Sequence, residues 1–178
     1  MQIKNTTESY GLLSKLFHWL IALAVIGMLI VGSLLDVLKG PTEGAVFGWH
    51  KSLGITLLAL MILFILWTAR NPKPAYPKDM PFIQVALATV VRYLLYIVVP
   101  LMCLSGWIFS TAKGKAPVVW GWFSLPAPFV PLSDSLGDAI KAVHVYLAWT
   151  ILALVLLHIA GALYHHFIRK DNILKRML

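Results

Sequence analysis

Apolar residues along the chain fall into four long runs, and polar and charged residues gather between them. The runs cover about residues 12–37, 47–68, 82–109 and 141–168. A helix needs about 20 apolar residues to cross about 30 Å of hydrocarbon. Each run comes near that length, so the pattern predicts four membrane-spanning helices.

The segments between these runs are too short to form a separate soluble domain. The sequence therefore predicts an all-α membrane protein, a single domain over residues 1–178 built as a bundle of four transmembrane helices. Irregular structure is expected at Lys39–Gly48, Arg70–Pro81 and Thr111–Asp138. The last segment is rich in proline and aromatic residues, and we expect it to lie along the membrane surface or to fold over the end of the bundle as a lid.

Composition supports a membrane protein. Hydrophobic residues make up 60% of the chain, charged residues only 12%, and the mean hydropathy is +0.82, whereas globular domains carry about 25% charged residues. The first run is expected to be a retained helix, because it exceeds the apolar core of a signal peptide and lacks a small-x-small cleavage pattern. The single cysteine, Cys103, lies within the third run and can form no internal disulfide.

Lysine and arginine are distributed unequally between the two sides of the predicted bundle. Ten lie in the N-terminal segment, in or near the loop after the second run, and in the C-terminal segment, whereas five lie on the opposite side. Cytoplasmic segments carry the excess of these residues, so both termini are predicted to be cytoplasmic. The net charge of +8 is then explained by insertion and anionic lipid, and no nucleic-acid partner is expected.

Four histidines lie inside or at the ends of the predicted helices: His18, His50, His144 and His158. Ionisable side chains at this depth are costly and indicate a functional site. His144 and His158 are 14 residues apart, about 40° short of four full turns, so both project from one stripe of the helix, roughly 21 Å apart. With helices that alternate in direction, His50 pairs with His144 and His18 with His158. Facing imidazoles in a helical bundle suit an iron porphyrin.

Other interpretations of the histidines stay open at this point. His165 falls on the same stripe as His158 and is a rival inner ligand. With His166, it is otherwise expected at the wet edge of the membrane, snorkelling or contacting lipid or haem carboxylates. Zinc or copper is less favoured, because the two pairs are too far apart to share one ion and have no further ligands. Glycines within the runs leave room either for a flat macrocycle or for close helix packing; they are Gly27, Gly32, Gly54, Gly106 and Gly161.

Several short motifs together resemble one family. They are Phe17-His18-Trp19-Leu20, His50-Lys51-Ser52-Leu53-Gly54, the interval from His144 to His158, and the closing stretch from His165 to Met177. In order and spacing, over essentially the whole chain, the sequence resembles bacterial cytochrome b561.

That resemblance implies a four-helix cytochrome of the bacterial inner membrane with two b-type haems. By likeness, His18 and His158 hold one haem, and His50 and His144 hold the other, so His158 rather than His165 is the inner ligand. The family includes members that oxidise superoxide at the periplasmic side and reduce ubiquinone. Other members are linked only to quinone-dependent electron transport.

Basic residues near the predicted sites are candidate contacts for anions or haem propionates. Lys51 and Lys141 are the outer candidates, and Arg92 is a candidate partner for an inner propionate. A cationic ring would raise the local concentration of a small anion such as superoxide. The ring consists of Lys51, Lys113, Lys115 and Lys141, and the nearby acids are Asp36, Glu43, Asp134 and Asp138.

Three functional hypotheses follow. The leading one is one-electron transfer through two bis-histidine haems, from superoxide or another periplasmic donor to ubiquinone. The second, based on the long aromatic segment, is a cytochrome b anchor subunit, or a quinol-linked relay to a separate dehydrogenase or periplasmic partner. The third is a small haem-free transporter with a proton-sensitive histidine path.

Overall fold

Four long helices run through the computed structural model, which describes residues 2–35, 37 and 39–178. They are α1 (Leu12–Leu34), α2 (Pro41–Ala69), α3 (Phe82–Ala112) and α4 (Asp134–Tyr164), and α4 is followed by a π-helical turn (His165–Arg169) and later a 3-10 turn (Lys175–Met177). In length and composition, each long helix is able to cross a membrane. The predicted class, a helical membrane protein with four spans, is confirmed.

The helices do not begin and end where the predicted spans do. α2 begins at Pro41 rather than at residue 47, and α4 begins at Asp134 rather than at 141, while α1 ends at Leu34 rather than at 37. Hydropathy marks the part of a helix that lies in hydrocarbon, whereas helix ends are decided by local capping. At α4, the Ser133 side chain accepts a hydrogen bond from the Leu136 amide at 3.3 Å, which caps the helix outside the apolar run.

The helices pack in chain order. α1 contacts α2, α2 contacts α3, and α3 has its most extensive contact with α4. Between them lies an apolar core of buried side chains, which are Ile21, Val25, Leu57, Leu58, Met61, Phe64, Val98, Val99, Cys103 and Ile151. Much of the remaining apolar surface faces outward, as is expected for helices solvated by lipid.

A short β-hairpin covers one end of the bundle, which we call the hairpin end. Its strands are β1 (Val118–Val119) and β2 (Phe123–Ser124), and three residues, 120–122, join them. Trp120 and Gly121 both have positive φ (51° and 79°), and the Trp122 amide donates to the Val119 carbonyl at 2.9 Å, as in a type I′ turn. The Trp120 amide donates to Ser52 Oγ on α2 at 3.0 Å. The prediction of irregular structure here was therefore wrong in part, and the segment folds over the bundle.

The opposite end, which we call the terminal end, carries both chain termini. Oδ1 of Asn5 accepts hydrogen bonds from the Gly11 amide at 2.9 Å and from Ser14 Oγ at 2.7 Å. Nδ2 of Asn5 donates to the Pro72 carbonyl at 3.0 Å, and Trp67 Nε1 donates to Ser14 Oγ at 2.8 Å. This buried network ties the N-terminal segment to the start of α1, the end of α2 and the loop that follows.

Residues 165–178, which we call the C-terminal clasp, fold back across the terminal end. Inside the clasp, Nδ1–H of His165 donates to the Asp171 carboxylate at 2.6 Å, and Lys170 between them has a left-handed backbone with φ of 56°. The clasp binds the rest of the protein through Arg169 to Asp79, Arg176 to the carbonyl of Ala75, and the carbonyl of Met177 to Trp19.

Acid should loosen the clasp. Burial by itself would raise the pKa of Asp171, but hydrogen bonds from His165 and the Ile173 amide, with the charge of Arg169, outweigh it and lower that pKa below its ordinary value. A carboxyl group with a lowered pKa stabilises the fold above its unfolded pKa, and this contribution is lost as pH falls below about 4.

Hydrogen exchange of residues 170–178, corrected for intrinsic rates, should therefore accelerate below about pH 4. Asp171→Asn should accelerate it at neutral pH by about tenfold, the factor that corresponds to the loss of about 1.4 kcal/mol. Asp134→Asn, at the hairpin end, is the matched control and should have no effect. Equal exchange in wild type and Asp171→Asn would contradict this role of Asp171.

Candidate functional site

The four intramembrane histidines form one pair at each end of the bundle. α4 runs from the hairpin end to the terminal end, so it presents His144 near the first and His158 near the second. His50 lies in the hairpin-end part of α2, and His18 lies in the terminal-end part of α1. The two histidines of α4 are 14 residues apart, which separates the pairs by roughly 21 Å along the helix.

At the terminal end, the imidazoles of His18 and His158 face each other. Their ring centroids are 6.1 Å apart and their planes are inclined by 52°. Imidazoles that bind one metal ion from opposite sides, with metal–nitrogen bonds of about 2 Å, have ring centres about 6 Å apart. The spacing of this pair therefore fits a single metal centre between the two rings.

At the hairpin end, a hydrogen bond to backbone fixes the orientation of His144. Nδ1 of His144 lies 3.1 Å from the carbonyl oxygen of Met102. Because a carbonyl oxygen only accepts hydrogen bonds, Nδ1 carries the proton. Nε2 therefore presents a lone pair, which is the form of the side chain that ligates iron.

Glycines let neighbouring helices approach the rings of this pair. A Cβ atom at Gly106 on α3 would lie 2.9 Å from Cε1 of His144, and one at Gly32 on α1 would lie 3.4 Å from Cε1 of His50. Of the two positions, Gly106 allows no side chain without displacement of the histidine. Both glycines therefore lie against a histidine ring, and at Gly106 the approach requires the absence of a side chain.

His50 and His144 lie at the same end of the bundle, but their surroundings differ. Nδ1 of His50 is buried, and within the described residues it has no hydrogen-bond partner. His144 instead has two neighbours for Nδ1, the Met102 carbonyl and the hydroxyl of Ser105. Sequence reasoning missed Ser105, because nothing in the order of residues along α3 shows which of its faces meets His144.

The predicted cationic ring at the hairpin end carries less uncompensated positive charge than its number of lysines indicated. Lys113 forms ion pairs with Asp138 at 2.8 Å and with Asp134 at 3.2 Å. Lys113 donates hydrogen bonds to the carboxylates of Asp138 and Asp134, which raise its pKa, and their negative charges offset its positive charge. Asp36, the other aspartate expected here, lies outside the described residues.

The other hairpin-end lysines are placed differently. Nζ of Lys51 donates to the carbonyl of Lys115 at 2.8 Å, so Lys51 links α2 to the segment before the hairpin. Lys141 is exposed on α4, one turn before His144. Both therefore lie at the same end of the bundle as the His50 and His144 pair.

Arg92 lies on α3 near the terminal end, among aromatic side chains. Its guanidinium is 5.5 Å from the ring centroid of Tyr93 and 5.9 Å from that of Tyr76. Nζ of Lys73 donates to the hydroxyl of Tyr93 at 2.7 Å. The immediate neighbours of Arg92 are thus two tyrosines, with a second cation close by.

His165, which was expected at the wet edge of the membrane, is buried inside the C-terminal clasp. Only 7% of the residue is exposed, and its Nδ1–H donates to Asp171 in the C-terminal clasp. The π-helical turn and the left-handed Lys170 bring Asp171 back to it, and helical spacing alone does not predict such a contact. His166 packs against Phe167 with ring centroids 4.7 Å apart.

The similarity of this chain to known proteins agrees with an arrangement of paired histidines in a helical bundle. The sequence model of a family described as prokaryotic cytochrome b561 matches residues 9–178. The chain belongs to the prokaryotic cytochrome b561 family. Membership implies that the protein binds haem b and takes part in electron transfer at a bacterial membrane.

Two curated relatives match nearly the whole chain, and a third matches a shorter part of it. Cytochrome b561 homolog 2 of Escherichia coli (strain K12) is 37% identical over 186 residues, covering 100% of this chain and 95% of the relative. Probable superoxide oxidase CybB of Yersinia pestis is 36% identical over 180 residues, covering 96% of each chain. Cytochrome b561 homolog 1 of Escherichia coli (strain K12) is 29% identical over 130 residues, covering 72% of each.

Proposed function

We propose that this b561-family protein transfers electrons across the membrane from superoxide to ubiquinone through two bis-histidine b haems, within one domain of residues 1–178. The observation that carries the proposal is the arrangement of four histidines as two pairs, one at each end of α4. His18 and His158 would hold one haem, and His50 and His144 would hold the other.

The protein's own residues have distinct roles in this proposal. Each histidine would offer a ring nitrogen to a haem iron, and a haem held by two histidines would favour electron transfer over oxygen binding. Haem b supplies reversible one-electron chemistry when it is bound. The apolar core between the two ends excludes water and bulk ions from the space between the pairs.

The fit of the histidines supports this assignment. The 6.1 Å separation of the His18 and His158 rings suits one iron between them, and the protonated Nδ1 of His144 leaves Nε2 as its donor atom. Within the described residues, there is no group of three or more His, Cys, Asp or Glu side chains that could hold a metal ion. A pair of histidines would therefore hold a metal that brings its remaining ligands with it, as haem does.

The reaction balances without another reductant. Two superoxide anions each lose one electron and leave as dioxygen, and one ubiquinone takes up the two electrons and two protons to become ubiquinol. Lys51 and Lys141, at the hairpin end, are proposed to attract the anion or to pair with haem propionates. Arg92 is proposed to pair with a propionate at the terminal end.

We assign the protein to the bacterial inner membrane with both termini in the cytoplasm, which places the hairpin end in the periplasm. The excess of lysine and arginine on the side of the termini supports this orientation. It also places the lysines of the hairpin end where periplasmic superoxide would arrive. One relative is named a probable superoxide oxidase, which favours superoxide over other periplasmic donors.

Mixing purified, oxidised protein with superoxide and a ubiquinone analogue tests the proposal. We expect the haem absorption to shift to the reduced form and the quinone to be reduced, with one quinone consumed for two superoxide anions. Haem that stays oxidised while quinone stays unreduced would exclude superoxide as the donor.

Charge at the hairpin end should control the rate of this reduction. Lys141→Glu should slow haem reduction at low ionic strength, by about 2-fold to 10-fold, and salt should diminish the difference. Lys175→Glu, which makes the same charge change in the C-terminal clasp, is the matched control. Equal slowing by both variants would contradict local attraction of the anion.

A further inference from the structure

One turn of α3 contacts His144 in three different ways, and we call this turn the α3 seat. It consists of Met102, Ser105 and Gly106. Met102 contributes its carbonyl oxygen, 3.1 Å from Nδ1 of His144, and Ser105 contributes its hydroxyl oxygen, 2.9 Å from the same nitrogen. Gly106 contributes the space in which Cε1 of the ring lies.

The direction of each hydrogen bond in the seat follows from its partners. The Ser105 hydroxyl donates to the Met102 carbonyl at 2.8 Å, so its proton is already used. Its oxygen is then available to accept from Nδ1–H of His144. The imidazole N–H is therefore shared between two acceptors, and the shorter contact is to the serine.

Burial makes this arrangement specific. Ser105 is only 6% exposed within an otherwise apolar stretch of α3, so its hydroxyl has a hydrogen-bonding role that a small apolar residue would not fill. A buried polar group of this kind is costly unless it is satisfied. Here its two partners are its own helix and the ring of His144.

We propose that Ser105 is a positioning residue that sets the electron-donating strength of His144 toward the iron at the hairpin end. The proposal rests on the assignment of His50 and His144 as ligands. A hydrogen bond accepted from Nδ1–H makes the imidazole a stronger donor at Nε2, which stabilises ferric over ferrous iron. Nδ1 of His50, the other proposed ligand, has no hydrogen-bond partner within the described residues. Of these two ligands, hydrogen bonding at Nδ1 would therefore adjust the donor strength of His144 alone.

Redox titration of the haem-loaded protein tests the role of Ser105. Ser105→Ala should raise the midpoint potential of one haem and leave the other at its wild-type value. The low-spin electron paramagnetic resonance signal of that haem should change, and the signal of the other haem should not. Ser105→Thr keeps the hydroxyl and should restore both values.

Ser33→Ala is the matched control. Ser33 donates to the carbonyl of Ile30, three residues earlier, at 2.8 Å, and Ser105 makes the same type of bond to Met102. Unlike Ser105, Ser33 is exposed. This variant should leave both potentials unchanged. Two bound haems whose potentials are both unaffected by Ser105→Ala would overturn the role of Ser105 alone, whereas wild-type protein without haem would overturn the proposed function itself.

Discussion

Replacing His158 with alanine should leave a protein that has lost the low-spin spectrum of one haem and kept that of the other. The reason is that His18 would then face no second imidazole across the 6.1 Å gap. His18→Ala should remove the same haem, and the double variant should lose no more than either single variant, because the two residues act as one site. Haem-to-protein ratios and reduced-minus-oxidised spectra measure this result.

His166→Ala is the matched control for this prediction. It removes an imidazole from the same end of the bundle, at a position that packs against Phe167, and it should leave both haems in place. The pairing is wrong if His18→Ala and His158→Ala each remove a different haem. It is also wrong if His158→Ala retains two low-spin haems.

A methyl group at position 106 should weaken haem binding at the hairpin end. In Gly106→Ala the new Cβ would lie 2.9 Å from Cε1 of His144, so the ring has to move away from α3 and from the Met102 carbonyl. Overpacking of this kind costs about 1 to 3 kcal/mol, which corresponds to roughly 5-fold to 150-fold weaker binding. Titration of the haem-free protein with haem measures the loss.

Gly44→Ala on α2 is the control, because a Cβ there would meet nothing within 4 Å and alanine favours a helix. It should bind both haems with wild-type affinity. Wild-type affinity in Gly106→Ala would show that the ring does not need the position it has against α3.

The four helices were predictable because a bilayer imposes a single length and polarity on every span. Their ends were not, since α2 extends to Pro41 and α4 to Asp134 beyond the apolar runs. Hydropathy contains no information on where a polar helix turn stops. The hairpin was missed for a related reason: its turn depends on a left-handed Trp120, which is held by hydrogen bonds to α2.

Some candidate site residues could be predicted from the sequence, and others are visible only in the structure. His18, His50, His144 and His158 stand out in the sequence, because ionisable side chains in apolar runs are rare. Ser105 does not, since a serine in a transmembrane helix commonly bonds to its own backbone. Its second contact, to His144, depends on how α3 is rotated against α4. The hydrogen bond between His165 and Asp171 likewise depends on a π-helical turn, which no pattern in the sequence predicts.

On the proposed assignment, α4 contributes one ligand to each haem, and only thirteen residues separate the two. The distance between the irons is then set by the rise of a single rod. Changes in bilayer thickness or in detergent would tilt α1 and α2 while leaving that distance almost unaltered. Electron tunnelling decays steeply with the distance between the two irons. A fixed distance would therefore keep the rate of electron transfer between the haems constant across membranes of different lipid content.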